Sequence, residues 1–197
     1  MKISVLGAGA FGTAIAITIA RGGQDVTLWG RDKNCISQIK KTRVNEFYLP
    51  DVPVPNELNI TDNLKEALSS DIICLTVPMQ QLTALLSLFD VEMANRRLVA
   101  CCKGIDLETN EGPTSIVKNF FPNSIVAVLT GPSFALDIAK GLPTALTIGC
   151  KNSDEGKRLQ ASLSTKTLRI YRTTDVVGAE LGGALKNVVA IACGVAI

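Results

Sequence analysis

Directly behind the apolar run Lys2–Leu6 (KISVL) stand three glycines in fixed spacing, Gly7-Ala8-Gly9-Ala10-Phe11-Gly12, and behind them an apolar segment of helical character, about residues 10–21. A strand that must turn at once into a helix packed against it has few solutions. Gly7 permits the tight turn, Gly9 lets another group approach the backbone, and Gly12 lets the helix lie close on the strand. The first N–H groups of the helix have no acceptor within it and sit at the positive end of its dipole, so they suit phosphate. The unit reads as the pyrophosphate cradle of a dinucleotide cofactor; the plainer alternative is that the glycines serve only the turn.

The rest of the chain repeats the same alternation. Strands are expected at 25–29 (DVTLW), 71–77 (DIICLTV), 97–102 (RLVACC), 124–130 (SIVAVLT), 143–149 (PTALTIG) and 167–172 (TLRIYR). Helices are expected near 33–41 and 62–69 and between most of the later strands. The proline-rich stretch 48–56 (YLPDVPVPN) reads as an extended loop, because proline breaks helices and spoils central strands. Hydrophobic residues are 47% of the 197 and charged ones 19%, as a sheet buried on both faces requires. The expected fold is α/β: a Rossmann-like, doubly wound, mostly parallel sheet over residues 1–174.

The segment 175–197 reads as a nearly uncharged helix, the first of a C-terminal helical substrate domain whose remainder is absent. A helix apolar all round expects cover, so the chain reads as a fragment, or as one that a partner completes. Alone it is expected to bind cofactor and to turn substrate over poorly or not at all.

A net charge of +2 gives no general affinity for nucleic acid or for a membrane surface, and no apolar run reaches spanning length. With no signal-peptide layout, the expectation is a cytoplasmic protein. The six cysteines, none in CxxC spacing, read as small buried hydrophobes rather than disulfides or metal ligands. Histidine is absent, so proton transfer must use another side chain and no metal site is expected.

Three places carry further chemistry. The second strand ends Leu28-Trp29-Gly30-Arg31, with an arginine where an acid usually takes the ribose 2′-hydroxyl; this favours NADP(H), while Asp32 keeps NAD(H) open. Arg31 is otherwise a solvated surface charge. Lys103-Gly104 and Gly131-Pro132-Ser133 follow two strands at the carboxyl edge where open α/β sheets bind ligands; Pro132 suits a first helical position and Ser133 offers a hydroxyl beside free N–H groups. The bland reading is a solvated lysine and a helix start. Lys186 shares the stretch 176–197 with one other charge, Glu180, six residues away on a different helix face. Gly182 and Gly183 lie on the face of Lys186 and clear room for a ligand. An apolar setting can lower a lysine's pKa enough for proton exchange, the alternative being a snorkelling surface lysine.

The strings VLGAGAFGTAIA, YLPDVPVP, CCKGID, LTGPSFA, GLPTA and LGGALKNVVAIA together resemble, in order, the signature segments of bacterial-type NAD(P)-dependent glycerol-3-phosphate dehydrogenases. The resemblance implies reduction of dihydroxyacetone phosphate to sn-glycerol 3-phosphate, feeding glycerophospholipid synthesis. It implies Lys186 as proton donor and acceptor, and Lys103, Gly131 and Ser133 as substrate contacts. Cofactor contacts would be Ala10, Phe11, Arg31, Tyr48, Lys103 and Ala135, with Gly7, Gly9 and Gly12 forming the cradle. Ala10 and Met79 depart from the family, where serine and a small polar residue are frequent. A homodimer is left open. The rival readings are a related two-domain hydroxyacid dehydrogenase or ketopantoate-type reductase, and an NADP(H)-binding module without turnover.

Overall fold

In the computed structural model, which describes residues 1–196 (Asn187 by its backbone only), the chain alternates strands and helices around one large sheet. It opens with β1 (Lys2–Leu6), α1 (Ala10–Arg21), β2 (Asp25–Trp29) and α2 (Lys33–Thr42), followed by β3 (Val44–Asn45), β4 (Leu49–Pro53), β5 (Asn59–Thr61) and α3 (Leu64–Leu68). Next come β6 (Ile72–Leu75), α4 (Leu82–Leu86), β7 (Arg97–Ala100), α5 (Pro113–Phe120), β8 (Ile125–Thr130) and α6 (Ala135–Ala139). The last elements are β9 (Thr144–Gly149), α7 (Ser153–Leu163), β10 (Leu168–Thr173) and α8 (Val176–Val195). Eight strands form the sheet in the order β10-β9-β8-β7-β6-β1-β2-β5. Every pairing is parallel except β8 with β9.

The order explains where a ligand fits. From β1 the chain crosses outward to β2, and from β6 it crosses the other way to β7, so the loops behind β1 and β6 diverge and leave a crevice at their carboxyl ends. The strands that line it are mostly apolar: Ile3, Val5, Leu6, Ile72, Ile73, Cys74 and Leu75 are almost wholly buried, with Ser4 the one buried polar residue among them. Helix α1 buries every residue from Gly12 to Ala20. It packs beside α6, where Thr18 Oγ1 donates to the Ile138 carbonyl at 2.9 Å.

Several expectations are corrected. The stretch 48–56 is not only loop: Leu49–Pro53 pairs antiparallel with Val44–Asn45 in a two-stranded ribbon. An isolated ribbon tolerates Pro50 and Pro53 because each strand has one unpaired edge that needs no donor. Strand β5, missed in the sequence, closes the edge beside β2. Strand 71–77 shortens to Ile72–Leu75, since Asp71 is exposed. Pro132 and Ser133 do not start a helix, because α6 begins at Ala135 with Phe134 as its cap. Five cysteines are buried, but Cys193 is exposed on α8.

The expected helix 175–197 is found as α8, capped by Asp175, which accepts from Gly178 N at 2.8 Å; Ile197 lies outside the described residues. Most of α8 is exposed, including Val177, Leu185, Val188 and Ile191. No single helix among the described residues is long and apolar enough to cross a membrane.

Candidate active site

The glycine turn is held by contacts that leave no room for a larger residue. Gly7 has φ +128°, and a Cβ there would stand 2.9 Å from Thr76 Oγ1. A Cβ on Gly12 would collide with the Gly7 carbonyl oxygen and with Thr76 Oγ1. Thr76 stands under the turn, its hydroxyl 3.0 Å from the Leu6 carbonyl and 3.1 Å from that of Gly7. From the other side Asn45, fully buried, donates from Nδ2 to the Ala8 carbonyl (2.9 Å) and to Thr13 Oγ1 (2.8 Å). Neither Thr76 nor Asn45 stood out in the sequence. A polar residue closing an all-apolar strand was the one signal for Thr76, and Asn45 had none.

Gly9 is different, because nothing lies within 4 Å of where its Cβ would be. It caps α1 without a side-chain hydrogen bond, and no acid stands in the first turn. The first bond into the helix runs from Thr13 N to the Gly9 carbonyl. The N–H groups of Ala10, Phe11 and Gly12 therefore lack intrahelical acceptors and face an open approach. Beside them runs a cleft of about 290 Å³ lined by Gly7–Gly9, by Gly30, Arg31 and Asp32, and by Tyr48, Thr76 and Pro78. These residues fit a dinucleotide: a backbone cradle at a helix start, with a guanidinium lining the same cleft.

Arg31 is exposed and makes no side-chain hydrogen bond or ion pair among the described residues. Asp32 is already occupied, since one carboxylate oxygen caps α2 by accepting from Asn34 N at 2.8 Å and Cys35 N at 3.2 Å. Tyr48, 57% exposed, stands over the cleft within reach of a ligand. Gly12 takes no part in the cleft wall; its place is the packing of α1 on the turn.

The second group assembles from three separate segments. Lys103, three residues past β7, donates from Nζ to the Gly131 carbonyl at 3.2 Å. Gly131 has φ +150°, and a Cβ on it would come within 2.9 Å of Leu146 on β9. Lys186 on α8 shares with Gly131, Thr130, Gly182 and Gly183 a cavity of about 380 Å³. Gly183 lets α8 come down on Thr130, whose hydroxyl would collide with an added Cβ; Lys103 Cγ would be 3.9 Å away. Gly182 is open. The Lys186 ammonium lies 5.9 Å from the centre of the exposed Phe134 ring. Thr130 Oγ1 and Ser133 Oγ are buried with no partner among the described residues.

Much of the Lys103 side chain is exposed, yet its pKa is held below the ordinary lysine value, first by desolvation of the ammonium and then by the charge of Lys186. Lys186 itself is exposed, so the apolar setting expected for it is not found among the described residues. Burial pushes the neighbouring Cys102 thiol up to about 12, with a smaller contribution from the charge of Glu180, so it stays protonated. Neither Lys103 nor Lys186 has a carboxylate partner among the described residues, which suits this region to an anion or an electron-rich oxygen. Of the remaining predicted residues, Phe11 and Ala135 are half-buried and pack against the main core, and Ala10 opens α1. None of the three lines either cavity.

The chain is similar to known proteins along its whole length. The sequence model of the NAD-dependent glycerol-3-phosphate dehydrogenase N-terminus matches residues 2–156. A glycerol-3-phosphate dehydrogenase [NAD(P)+] of Ruegeria sp. is 51% identical over 197 residues, which is all of this chain and 61% of that protein. One from Paracoccus denitrificans is 50% identical, over all of this chain and 60% of its own length. The crystal structure of glycerol-3-phosphate dehydrogenase from Coxiella burnetii superposes with TM-score 0.87 at 33% identity, covering 98% of this chain and 60% of that one. The chain thus spans about three fifths of the length of the curated relatives it matches.

Proposed function

The chain belongs to the NAD-dependent glycerol-3-phosphate dehydrogenase family, matching its N-terminal part, and from that premise we propose that it forms the nucleotide-binding half of an enzyme reducing dihydroxyacetone phosphate to sn-glycerol 3-phosphate. In this reading residues 1–174 hold the cofactor and 175–197 begin the substrate-binding part. The product would feed glycerophospholipid synthesis in the cytosol, where reducing conditions suit unpaired thiols. The observation that carries the proposal is that Lys103 reaches the Gly131 carbonyl while Lys186 lines one cavity with Gly131 and Gly183.

The nicotinamide cofactor, when bound, supplies the hydride. The protein's own groups do the rest. The N–H groups at the start of α1 hold the pyrophosphate, and Tyr48 covers the cleft. Negative charge that grows on the substrate's carbonyl oxygen is met by the Lys186 ammonium, which delivers the proton from Nζ and takes it back in the reverse direction. Lys103 and the loop of Gly131 and Ser133 hold the substrate against it, and the unpaired hydroxyl of Ser133 offers the donor a phosphate or hydroxyl needs. NADP(H) is favoured over NAD(H), because Arg31 is unpaired at the adenosine end while the carboxylate of Asp32 is engaged in its cap.

The deciding experiment compares rates in the full-length enzyme. Dihydroxyacetone phosphate is expected to be reduced far faster than any 2-oxo acid at equal concentration. Preference for a 2-oxo acid would move the chain to a hydroxyacid dehydrogenase or ketopantoate-type reductase.

A further inference from the structure

The helix that carries Lys186 is poorly embedded, and among the described residues one hydrogen bond ties a side chain of it to a distant segment. The Thr114 N–H donates to Glu180 Oε1 at 2.7 Å. Its setting is unusual for a cap. Helix α5 starts at Pro113, which has no N–H, and its own cap residue, Gly112, has no side chain. Thr114 therefore carries the first free donor of α5, and a residue 66 positions away satisfies it. The missing side chain of Gly112 makes this contact accessible, since a Cβ there would stand 2.7 Å from Glu180 Oε2 and 3.2 Å from Oε1. A carboxylate at a helix N-terminus is also favoured by the dipole.

We propose that Glu180 is a positioning residue for proton transfer: by capping α5 through Thr114 it fixes the rotation of α8 and so sets Lys186 against Lys103 and Gly131. Six residues separate Glu180 from Lys186, a rise of about 9 Å and a turn that puts them on different faces. A contact on one face of a stiff helix determines where the other face points. The seat of Gly183 on Thr130 and the approach of Ala179 to Gly149 give further points of contact, and the Glu180 tie adds the one that fixes rotation toward α5. The charge of Glu180 is felt at Cys102, next to Lys103, so the tie lies beside the loop that Lys186 must meet. Without the tie, α8 keeps Val176 and Ala179 beside Gly149 and Gly183 on Thr130, all on one side of the helix start, and a largely exposed body beyond them.

The proposal rests on the role of Lys186 given above, and its test separates the two. Gly112→Ser gives α5 a cap of its own while the new side chain displaces the Glu180 carboxylate, so a purely stabilising role would be replaced and a positioning role lost. Glu180→Gln keeps an acceptor for Thr114 and removes the charge; Glu180→Ala removes both. Two quantities are read in the full-length enzyme: kcat, and the titration midpoint of Lys103 without cofactor, followed by NMR of 13Cε-labelled lysine and assigned with Lys103→Arg. Gly112→Ser and Glu180→Ala are expected to lower kcat roughly ten- to hundredfold, as a misplaced reacting group does. They are also expected to move the Lys103 midpoint upward, because Lys186 no longer stands near it. Glu180→Gln should change neither, and NADPH affinity should hold in all three. If Glu180→Ala does not fold, Gly112→Ser still decides. Folded Gly112→Ser with wild-type kcat and an unmoved midpoint would show that the carboxylate only caps α5. A moved midpoint with unchanged kcat would leave the tie intact as a fact of structure and overturn the role of Lys186 instead.

Discussion

The two halves of the site are built in opposite ways. The cofactor half is made of consecutive residues, Gly7 to Gly12, fixed by backbone geometry and by two polar clamps, Thr76 and the buried Asn45, at the end of the buried strands β1 and β6. The substrate half is made of side chains from three distant segments, with Lys186 on an exposed helix tied by one carboxylate. Binding a pyrophosphate requires little more than fixed N–H groups, and a short rigid turn supplies them. Proton transfer requires lysine, substrate and nicotinamide to meet within a near-attack distance, and only tertiary structure can arrange that. The contrast predicts that damage to the second half costs rate and damage to the first costs stability and affinity.

The largest effect should come from the second half. In the full-length enzyme Lys186→Met is expected to lower kcat by roughly 10²–10⁴, the range for losing a general acid, while NADPH binding changes little because the cradle at Gly7–Gly9 is untouched. Steady-state kinetics beside a cofactor titration checks this. Loss of NADPH affinity equal to the loss of rate would erase the division between halves.

Next comes the cradle itself. Gly12→Ala places a methyl group against the Gly7 carbonyl and Thr76 Oγ1, none of which can retreat without opening the turn. The expected cost is about 1–3 kcal/mol, as for other overpacked sites, with dinucleotide binding lost or strongly weakened. Thermal unfolding and cofactor titration of the same preparation measure both. An unchanged melting temperature would mean that the turn is softer than its contacts imply.

How much of this could be read from the chain follows the same division. The boundaries of β1, α1 and β2 agree with the sequence reading, because hydrophobic period and glycine spacing act there over a few adjacent residues. Lys103 and Gly131 were legible as neighbours of one sheet edge because each follows a strand, whereas only the family resemblance joined Lys186 to them, since nothing local relates a helix residue 83 positions on to that edge. Asn45 and Thr76 were missed because a polar residue that clamps a turn looks like any other until its acceptors are placed. Glu180 was read correctly as no partner for Lys186, but its true partner is a backbone N–H, which sequence does not mark. The β3–β4 ribbon was masked by its prolines, whose cost depends on which strand edge they face.

A smaller effect is expected at the adenosine end. Arg31→Ala should weaken NADPH about tenfold or more and leave NADH nearly unchanged, since only NADPH carries the 2′-phosphate that a guanidinium binds through paired, charge-assisted bonds. Parallel titrations with the two cofactors give the answer. Equal losses would mean that Arg31 serves the cleft in general and that Asp32, despite its cap, still reads the ribose.

The smallest effect concerns pH and again contrasts the halves, because no shifted lysine stands in the cradle. The pKa of Lys103 is lower in the folded chain than the ordinary lysine value, from desolvation and from Lys186. Between its folded pKa and that ordinary value the unfolded chain binds more protons than the folded one, so stability must rise with pH across this window. The wild type should therefore gain stability relative to Lys103→Met as pH climbs into the alkaline range. Below the folded pKa the difference should be constant. The gain stays under about 1 kcal/mol, because so exposed a side chain is screened by solvent, and added salt should shrink the part that comes from Lys186. Denaturant unfolding of both proteins at several pH values measures the difference directly. A relative gain that falls with rising pH would mean that Lys103 is held by an unseen negative partner, and the picture of two lysines left open for an anionic substrate would have to be abandoned.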